Sequence, residues 1–541
     1  MRTAILSAFI AFIIHISTVS SIYAADVPAK PKPAKTPELV EKGKVTYFRR
    51  CSFCHGLTGA GDGPAADQMI PRPRDFSMGL YKFRSTETGG LPTDEDLFRT
   101  LSRGIPGTAM QPFDSDKIKN GLTEEERWQV IYYIQTFSES FADPDMDPYQ
   151  QVIKVSQEVK TSTESIAKGE KIFKEMKCWE CHGEGGKGNG PNAPKLKDKF
   201  RGDPILPFDL TKGWRYKAGN TSLDIYKRFS TGINGTPMPS FADSLNDEER
   251  WHLANYVVSL QKREVNNQSV LKAGYVKGDI PESPDDPAWQ KAVAIDVQLA
   301  GQVIARPRWE NPSVDIVTVR ALFNDKEIGF LTEWSDRFKD ALHNPDLEYA
   351  APAEYTGYVK GDEMPRKPGN FRDSIALQFP VKAGEGAKRP HFFRGDSSSP
   401  VNLWVWKSDL EEAGQPAIED INASGYKQPL KVQAQEDQQI KGKGVWKEGA
   451  WRVVMKRPLT TNSKNDVQFE RGRFIPFSLN AWDGSNGEHN LIMSLSTWNF
   501  VVMEAPIPVN VYIYTLLGMV GIGGAEVWLM RKVRREKKGG I

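Results

Sequence analysis

The chain has 541 residues, with 71 lysines and arginines against 69 aspartates and glutamates, so its net charge is only +2. At about 150 residues per domain this length is too great for one hydrophobic core and corresponds to three or four domains. The small, evenly spread charge excludes the electrostatic footprint of a polyanion-binding protein, and no nucleic-acid partner is expected.

Residues 1–25 place Arg2 ahead of an apolar run from Ala4 to about Val19, with the small residues Ala24 and Ala25 before charge begins. This is the pattern of a secretory signal peptide, so the remainder is expected to be exported. The Pro/Lys-rich stretch VPAKPKPAKTPE that follows reads as a linker.

Two segments then repeat, and they are expected to form all-α domains over residues 36–140 and 160–262. The first runs GKVTYFRRCSFCHGLTGAGDGPAA, then GIPGTAMQPF, then GLTEEERWQVIYYIQTF; the second runs GEKIFKEMKCWECHGEGGKGNGPNA, then GINGTPMPSF, then SLNDEERWHLANYVVSL. Each opens with a helix bearing an aromatic residue four positions after a glycine, Gly43 to Tyr47 and Gly169 to Phe173. Each closes with a helix whose start is marked at N-cap and N3 spacing, by Thr123 with Glu126 and by Asn246 with Glu249.

The motif Cys-x-x-Cys-His occurs as Cys51, Cys54 and His55 and again as Cys178, Cys181 and His182, which uses all four cysteines. Two thiols on one helical turn can form thioethers with the vinyl groups of a haem, and the adjacent histidine reaches the iron. A second axial ligand is offered in matching loops by Met110, 55 residues after His55, and by Met238, 56 after His182. His/Met ligation suits an iron that only passes electrons, because the soft thioether favours the ferrous state. Two disulfides or a four-thiolate zinc site would use the same cysteines but would explain neither the histidines nor the methionine loops. Residues from about 36 to 262 resemble two class I cytochrome c domains in tandem.

Beyond a polar, Pro-containing linker the texture becomes that of strands, and residues 280–507 are expected to form a β-sandwich. The alternation is seen at Val314 and Ile316, at Ile375, Leu377 and Phe379, at Val401, Leu403 and Val405, and at Leu491, Met493 and Leu495. ALFNDKEIGFLTEW reads as a hairpin turning at Asn324 and Asp325. Trp404, Trp406 and Trp482 are read as sandwich core.

The segments VRALFNDKEIGFLTEWSD, SPVNLWVWKSD, WRVVMKRPL and NAWDGSNGEHN, with STW downstream, resemble the haem b domain of the ethylbenzene dehydrogenase family. Members are gamma subunits of type II molybdenum oxidoreductases related to dimethyl sulfoxide reductase, and the resemblance implies a noncovalent haem b held by a methionine and a lysine. This chain departs from that pattern. Arg394-Gly395 stands where the family has methionine-glycine, and Met493 where a lysine is expected. Either the domain is a structural platform without haem b, or ligation is reassigned, in which case Met493, His391 and His489 are the candidates.

Val511 to Met530 is an uninterrupted run of 20 residues with one charge, Glu526. At 1.5 Å per residue it is long enough to cross a ~30 Å hydrocarbon layer. The basic tail of residues 531–541, with Arg531, Lys532, Arg534, Arg535, Lys537 and Lys538, is expected to stay in the cytoplasm, leaving the domains on the periplasmic side of the inner membrane.

The expectation is a membrane-anchored periplasmic electron-transfer subunit with two haems c and a conditional haem b, and no catalytic residues of its own. The resemblance implies as partners a molybdenum and iron–sulfur oxidoreductase, such as a nitrite oxidoreductase, and a cytochrome- or quinone-linked respiratory acceptor. Two other readings share the motifs. A dihaem peroxidase would need an open iron position, and a dihaem cytochrome with a cofactor-free docking or carbohydrate-binding module would need no third haem.

Overall fold

The computed structural model describes residues 28, 30–66, 69, 71–261, 265–305, 308–309, 312–342, 371–382, 389–504 and 509–538; the expected signal peptide lies outside them. The described residues fall into two units, with the division between 264 and 265.

The first unit is helical and shows the duplication directly. Its first module contains α1 (Pro37–Arg50), α2 (Ser52–His55), α3 (Asp94–Arg103) and α4 (Glu124–Ile134). The second repeats the set as α5 (Thr163–Glu175), α6 (Trp179–His182), α7 (Ser222–Thr231) and α8 (Asp247–Ser259). Both closing helices start with a complete capping box, Thr123 with Glu126 and Asn246 with Glu249, so side chains satisfy the first free backbone amides. Opening and closing helices cross where there is no side chain to separate them. A Cβ on Gly43 would lie 1.9 Å from the Gln129 carbonyl oxygen, and one on Gly169 2.1 Å from that of His252.

Above each crossing the same aromatic arrangement fills the core. Phe98 stacks on Trp128 at 4.3 Å and Tyr226 on Trp251 at 4.5 Å, each beneath a guanidinium, that of Arg127 or Arg250. The two modules are joined by polar contacts. Arg84, 1% exposed, donates to the Thr231 carbonyl at 2.8 Å, and Arg228 reciprocates to the Arg84 carbonyl. Arg99 pairs with Asp224 at 2.6 Å, and Lys82 with Asp198 at 3.2 Å.

The second unit is a β-sandwich followed by one long helix. Its strands are β1 (Val270–Tyr275), β2 (Ala294–Gln298), β3 (Ala300–Gly301), β4 (Ile316–Phe323), β5 (Glu327–Ser335), β6 (Ser374–Pro380) and β7 (Val401–Lys407). After them come β8 (Ile418–Ala423), β9 (Lys431–Val432), β10 (Lys441–Trp446), β11 (Ala450–Pro458), β12 (Phe474–Trp482), β13 (Ser494–Leu495) and β14 (Asn499–Met503). Among the described residues two short α-helices interrupt them, α9 (Pro287–Lys291) and α10 (Ser408–Glu412).

The strand order is β10-β11-β5-β4-β1-β14-β12-β6-β7-β8-β9, and β1 connects the two halves by pairing in parallel with both β4 and β14. The halves face each other across one core in which Val317, Phe330, Trp334 and Met455 meet Phe379, Trp404, Trp406 and Phe477. The hairpin expected at Asn324 and Asp325 joins β4 to β5. The alternation at Leu491, Met493 and Leu495 forms no continuous strand. Asn490 takes a left-handed conformation with φ 48°, and only Ser494–Leu495 pairs as β13.

The final helix, α11 (Val509–Lys538), contains an apolar stretch, Ile513–Val533, long enough to span a membrane. Ile513, Leu516, Leu517, Val520, Ile522 and Trp528 are all exposed along it.

Candidate haem sites

Each Cys-x-x-Cys-His forms one tight turn. Cys51 caps α2, and the His55 amide donates back to its carbonyl at 2.9 Å, while Cys178 and His182 repeat the contact at 2.9 Å. Both turns end on a left-handed glycine, Gly56 at φ 81° and Gly183 at φ 74°. A Cβ there would meet Asp62 Oδ1 at 1.9 Å or Asn189 Oδ1 at 2.0 Å, so only glycine lets the chain leave the turn. Two sulfurs and one imidazole are thereby presented together, as covalent attachment of a haem requires.

The imidazoles are oriented in the same way in both modules. His55 Nδ1 donates to the Arg74 carbonyl at 3.0 Å, and His182 Nδ1 to the Phe208 carbonyl at 3.0 Å. That bond fixes the tautomer and leaves Nε2 to coordinate a metal. Burial lowers the His55 pKa and so favours the neutral, ligating form. Burial likewise pushes the Cys51 thiol up to about 12 and the Cys178 thiol up to about 11.

Phe76 stacks on the His55 ring at 4.4 Å, with Tyr81 next to it at 6.1 Å. The Tyr81 hydroxyl is buried without a protein partner, which fits a neighbouring group that brings its own acceptors, as haem propionates do.

The methionine loops are superimposable in their bonding. The Ile105 amide donates to the Met110 carbonyl at 2.8 Å, and the Ile233 amide to the Met238 carbonyl at 3.1 Å. Thr108 and Thr236 brace the loops, each accepting from the methionine amide at 3.2 Å. Cys51 and Met110 pack into the core of the first module, Cys178 and Met238 into that of the second. The carbonyls of Arg74 and Phe208 and the Tyr81 hydroxyl were not legible in the sequence. The shared Asp-x-Ser/Thr turn after each carbonyl, Asp75 with Ser77 and Asp209 with Thr211, was the available signal.

In the sandwich, Met493 is fully buried among Ala305, Phe393, Leu491 and Leu495. His391 is exposed, stacks on Phe392 at 4.6 Å and accepts the Phe393 amide at Nδ1; His489 stacks on Phe371 at 4.1 Å and donates to the Gly487 carbonyl. Among the described residues no hydrogen bond or ring contact joins any two of these three side chains. Arg394 is buried with φ 59°, and its guanidinium bonds the Asn490 carbonyl and side chain. Asn480, paired opposite Leu495 beside Met493, is 1% exposed, and both its amide atoms lack a partner. Such an orphaned pair fits a polar group brought in by a ligand on this face of β12.

Comparison with known proteins agrees with this division. Residues 40–138 and 166–261 match the cytochrome c family, and residues 286–428 and 420–494 match the ethylbenzene dehydrogenase family. A putative respiratory nitrate reductase heme subunit of Haloferax mediterranei is 24% identical over 274 residues, 50% of this chain and 85% of that protein. The dimethylsulfide dehydrogenase subunit gamma of Rhodovulum sulfidophilum is 27% identical over 242 residues, 42% of this chain and 79% of that one. A chain of the Kuenenia stuttgartiensis reducing HAO-like protein complex is 45% identical over 43% of this chain and 99% of its own, with a TM-score of 0.39. The chain therefore carries two tandem cytochrome c domains, which imply covalently bound haem c, followed by a domain of the ethylbenzene dehydrogenase type.

Proposed function

We propose that this chain is the membrane-anchored electron-transfer subunit of a molybdenum and iron–sulfur oxidoreductase, of the kind typified by nitrite oxidoreductase, and links it to the respiratory chain. The observation that carries the reading is the duplicated cradle, in which a carbonyl-oriented histidine and a threonine-braced methionine flank a two-cysteine turn. Cys51 and Cys54 hold the first haem c, with His55 and Met110 on its iron; Cys178 and Cys181 hold the second, with His182 and Met238. A histidine and a methionine offered to each iron would favour the reduced state and would leave no residue-free position for substrate, which supports relay over peroxidase chemistry. The third domain takes a haem b on the face that carries Met493 and the orphaned Asn480, with His391 and His489 the remaining ligand candidates. α11 holds the domains on the periplasmic side.

A pyridine haemochrome spectrum of the full-length protein, before and after acid–acetone extraction, tests this. The expected result is two haems c that resist extraction and one haem b that is removed. Two haems c with nothing extractable would make the third domain a docking platform, and no covalent haem would refute the reading altogether.

A further inference from the structure

At one rim of the sandwich three strand ends converge. Asp336 directly follows β5, Asp373 directly precedes β6, and Asp483 directly follows β12, the strand paired with β6. The three side chains are 1%, 0% and 5% exposed, and a carboxylate oxygen from each lies within 4.8 Å of the others. Two are well supplied with donors. Asp373 accepts from Trp451 Nε1 at 2.9 Å and from the amides of Asp340 at 2.8 Å and Gly484 at 2.9 Å. Asp483 accepts from Ser313, from Ser485 and from the Asn486 amide.

Asp336 differs. Among the described residues its one donor is the Phe338 amide at 3.3 Å, and its Oδ2 is buried beside the other two carboxylates with no partner there. Asp340 Oδ2, also buried, lacks one too. Among the described residues no lysine or arginine is ion-paired to Asp336, Asp340, Asp373, Asp483 or the fully buried Glu488 nearby. Burying several carboxylates together without a counter-cation is among the more costly arrangements a fold can adopt.

We infer that Asp336, Asp373 and Asp483 form a binding site for one divalent cation, calcium by size and ligand type, which ties these three strand ends together. Hard carboxylate oxygens select calcium, magnesium or manganese over softer metals. Calcium–oxygen distances of about 2.3–2.6 Å let ligands on one ion sit up to about 5 Å apart, whereas magnesium demands a tighter shell and keeps its waters, which a buried site does not favour. The inference is independent of haem binding and of the partner enzyme.

The test uses the detergent-purified full chain, stripped with EGTA and dialysed against labelled calcium. One calcium per chain and a rise in the unfolding temperature of the sandwich are expected, with the haem c spectra unchanged. Asp336→Asn removes one charge from a repelling cluster, so it should fold at least as well without metal while binding calcium at least tenfold more weakly. Absence of bound calcium on the wild-type chain at millimolar concentration would overturn the inference, as would unchanged affinity in Asp336→Asn. Should that variant fail to accumulate, dialysis of the wild type with calcium and with magnesium alone still decides, and equal retention of both would refute calcium as the occupant.

Discussion

Replacing Gly43 with alanine tests whether the helix crossing beneath the first haem site is as close as it looks. The new Cβ would stand 1.9 Å from the Gln129 carbonyl oxygen and 2.4 Å from its carbon, both backbone atoms of α4 that no rotamer change can move. To reach van der Waals separation the helices must part by about 1.5 Å. Alanine returns about 0.5–1 kcal/mol of helix preference, whereas overpacking typically costs about 1–3 kcal/mol and here acts against rigid backbone. A net loss of about 2 kcal/mol is expected, or roughly 10 °C in a module of about 100 residues. The assay is thermal unfolding of the haem-loaded protein followed by Soret circular dichroism. Gly185→Ala is the control, since a Cβ there meets nothing within 4 Å. If Gly43→Ala melts with the wild type, the two helices do not meet backbone to backbone at this crossing.

Met110→Ala and Met238→Ala should each lower the potential of one haem only, by on the order of 100 mV within the ~0.8 V range that axial ligands command, as read by spectroelectrochemical titration. A single variant that shifts both haems equally would contradict separate cradles. Thr123→Ala and Asn246→Ala remove capping-box side chains and should each cost about 1 kcal/mol in denaturant unfolding, with no change in potential. Arg457 is fully buried between Asp420 at 3.7 Å and Asp466 at 3.3 Å, with its guanidinium over Trp404. Arg457→Leu should destabilise the sandwich by about 3–5 kcal/mol, because it strands two buried carboxylates; a loss under about 1 kcal/mol in tryptophan-monitored unfolding would show that they are compensated elsewhere.

What was legible in the sequence was local. The capping boxes at Thr123 and Asn246, the cysteine turns and the paired methionine loops each sit within a few residues, so spacing alone reveals them. The carbonyls that orient His55 and His182 lie 19 and 26 residues downstream, and every residue carries a carbonyl, so only the Asp-x-Ser/Thr turn that follows each one, at Asp75 and Asp209, hints at them. The apolar alternation through Leu491 and Met493 suggested a strand, but the left-handed Asn490 and the tight His489–Ile492 bridge put those side chains against Phe393 instead. Asp336, Asp373 and Asp483 are far apart in sequence and meet only because β5, β6 and β12 end at the same rim. Nothing in the local sequence could have joined them.

Among the described residues the main strand path ends at β10 and β9, and open ends invite pairing between copies. β10 meets this with Lys441 and Lys443 exposed on alternate positions of a glycine-interrupted strand, and β9 is only Lys431–Val432, too short to template a neighbour. Replacing those lysines with threonine or valine would leave the fold and both haem cradles untouched, yet turn a soluble rim into one on which sheets could stack end to end.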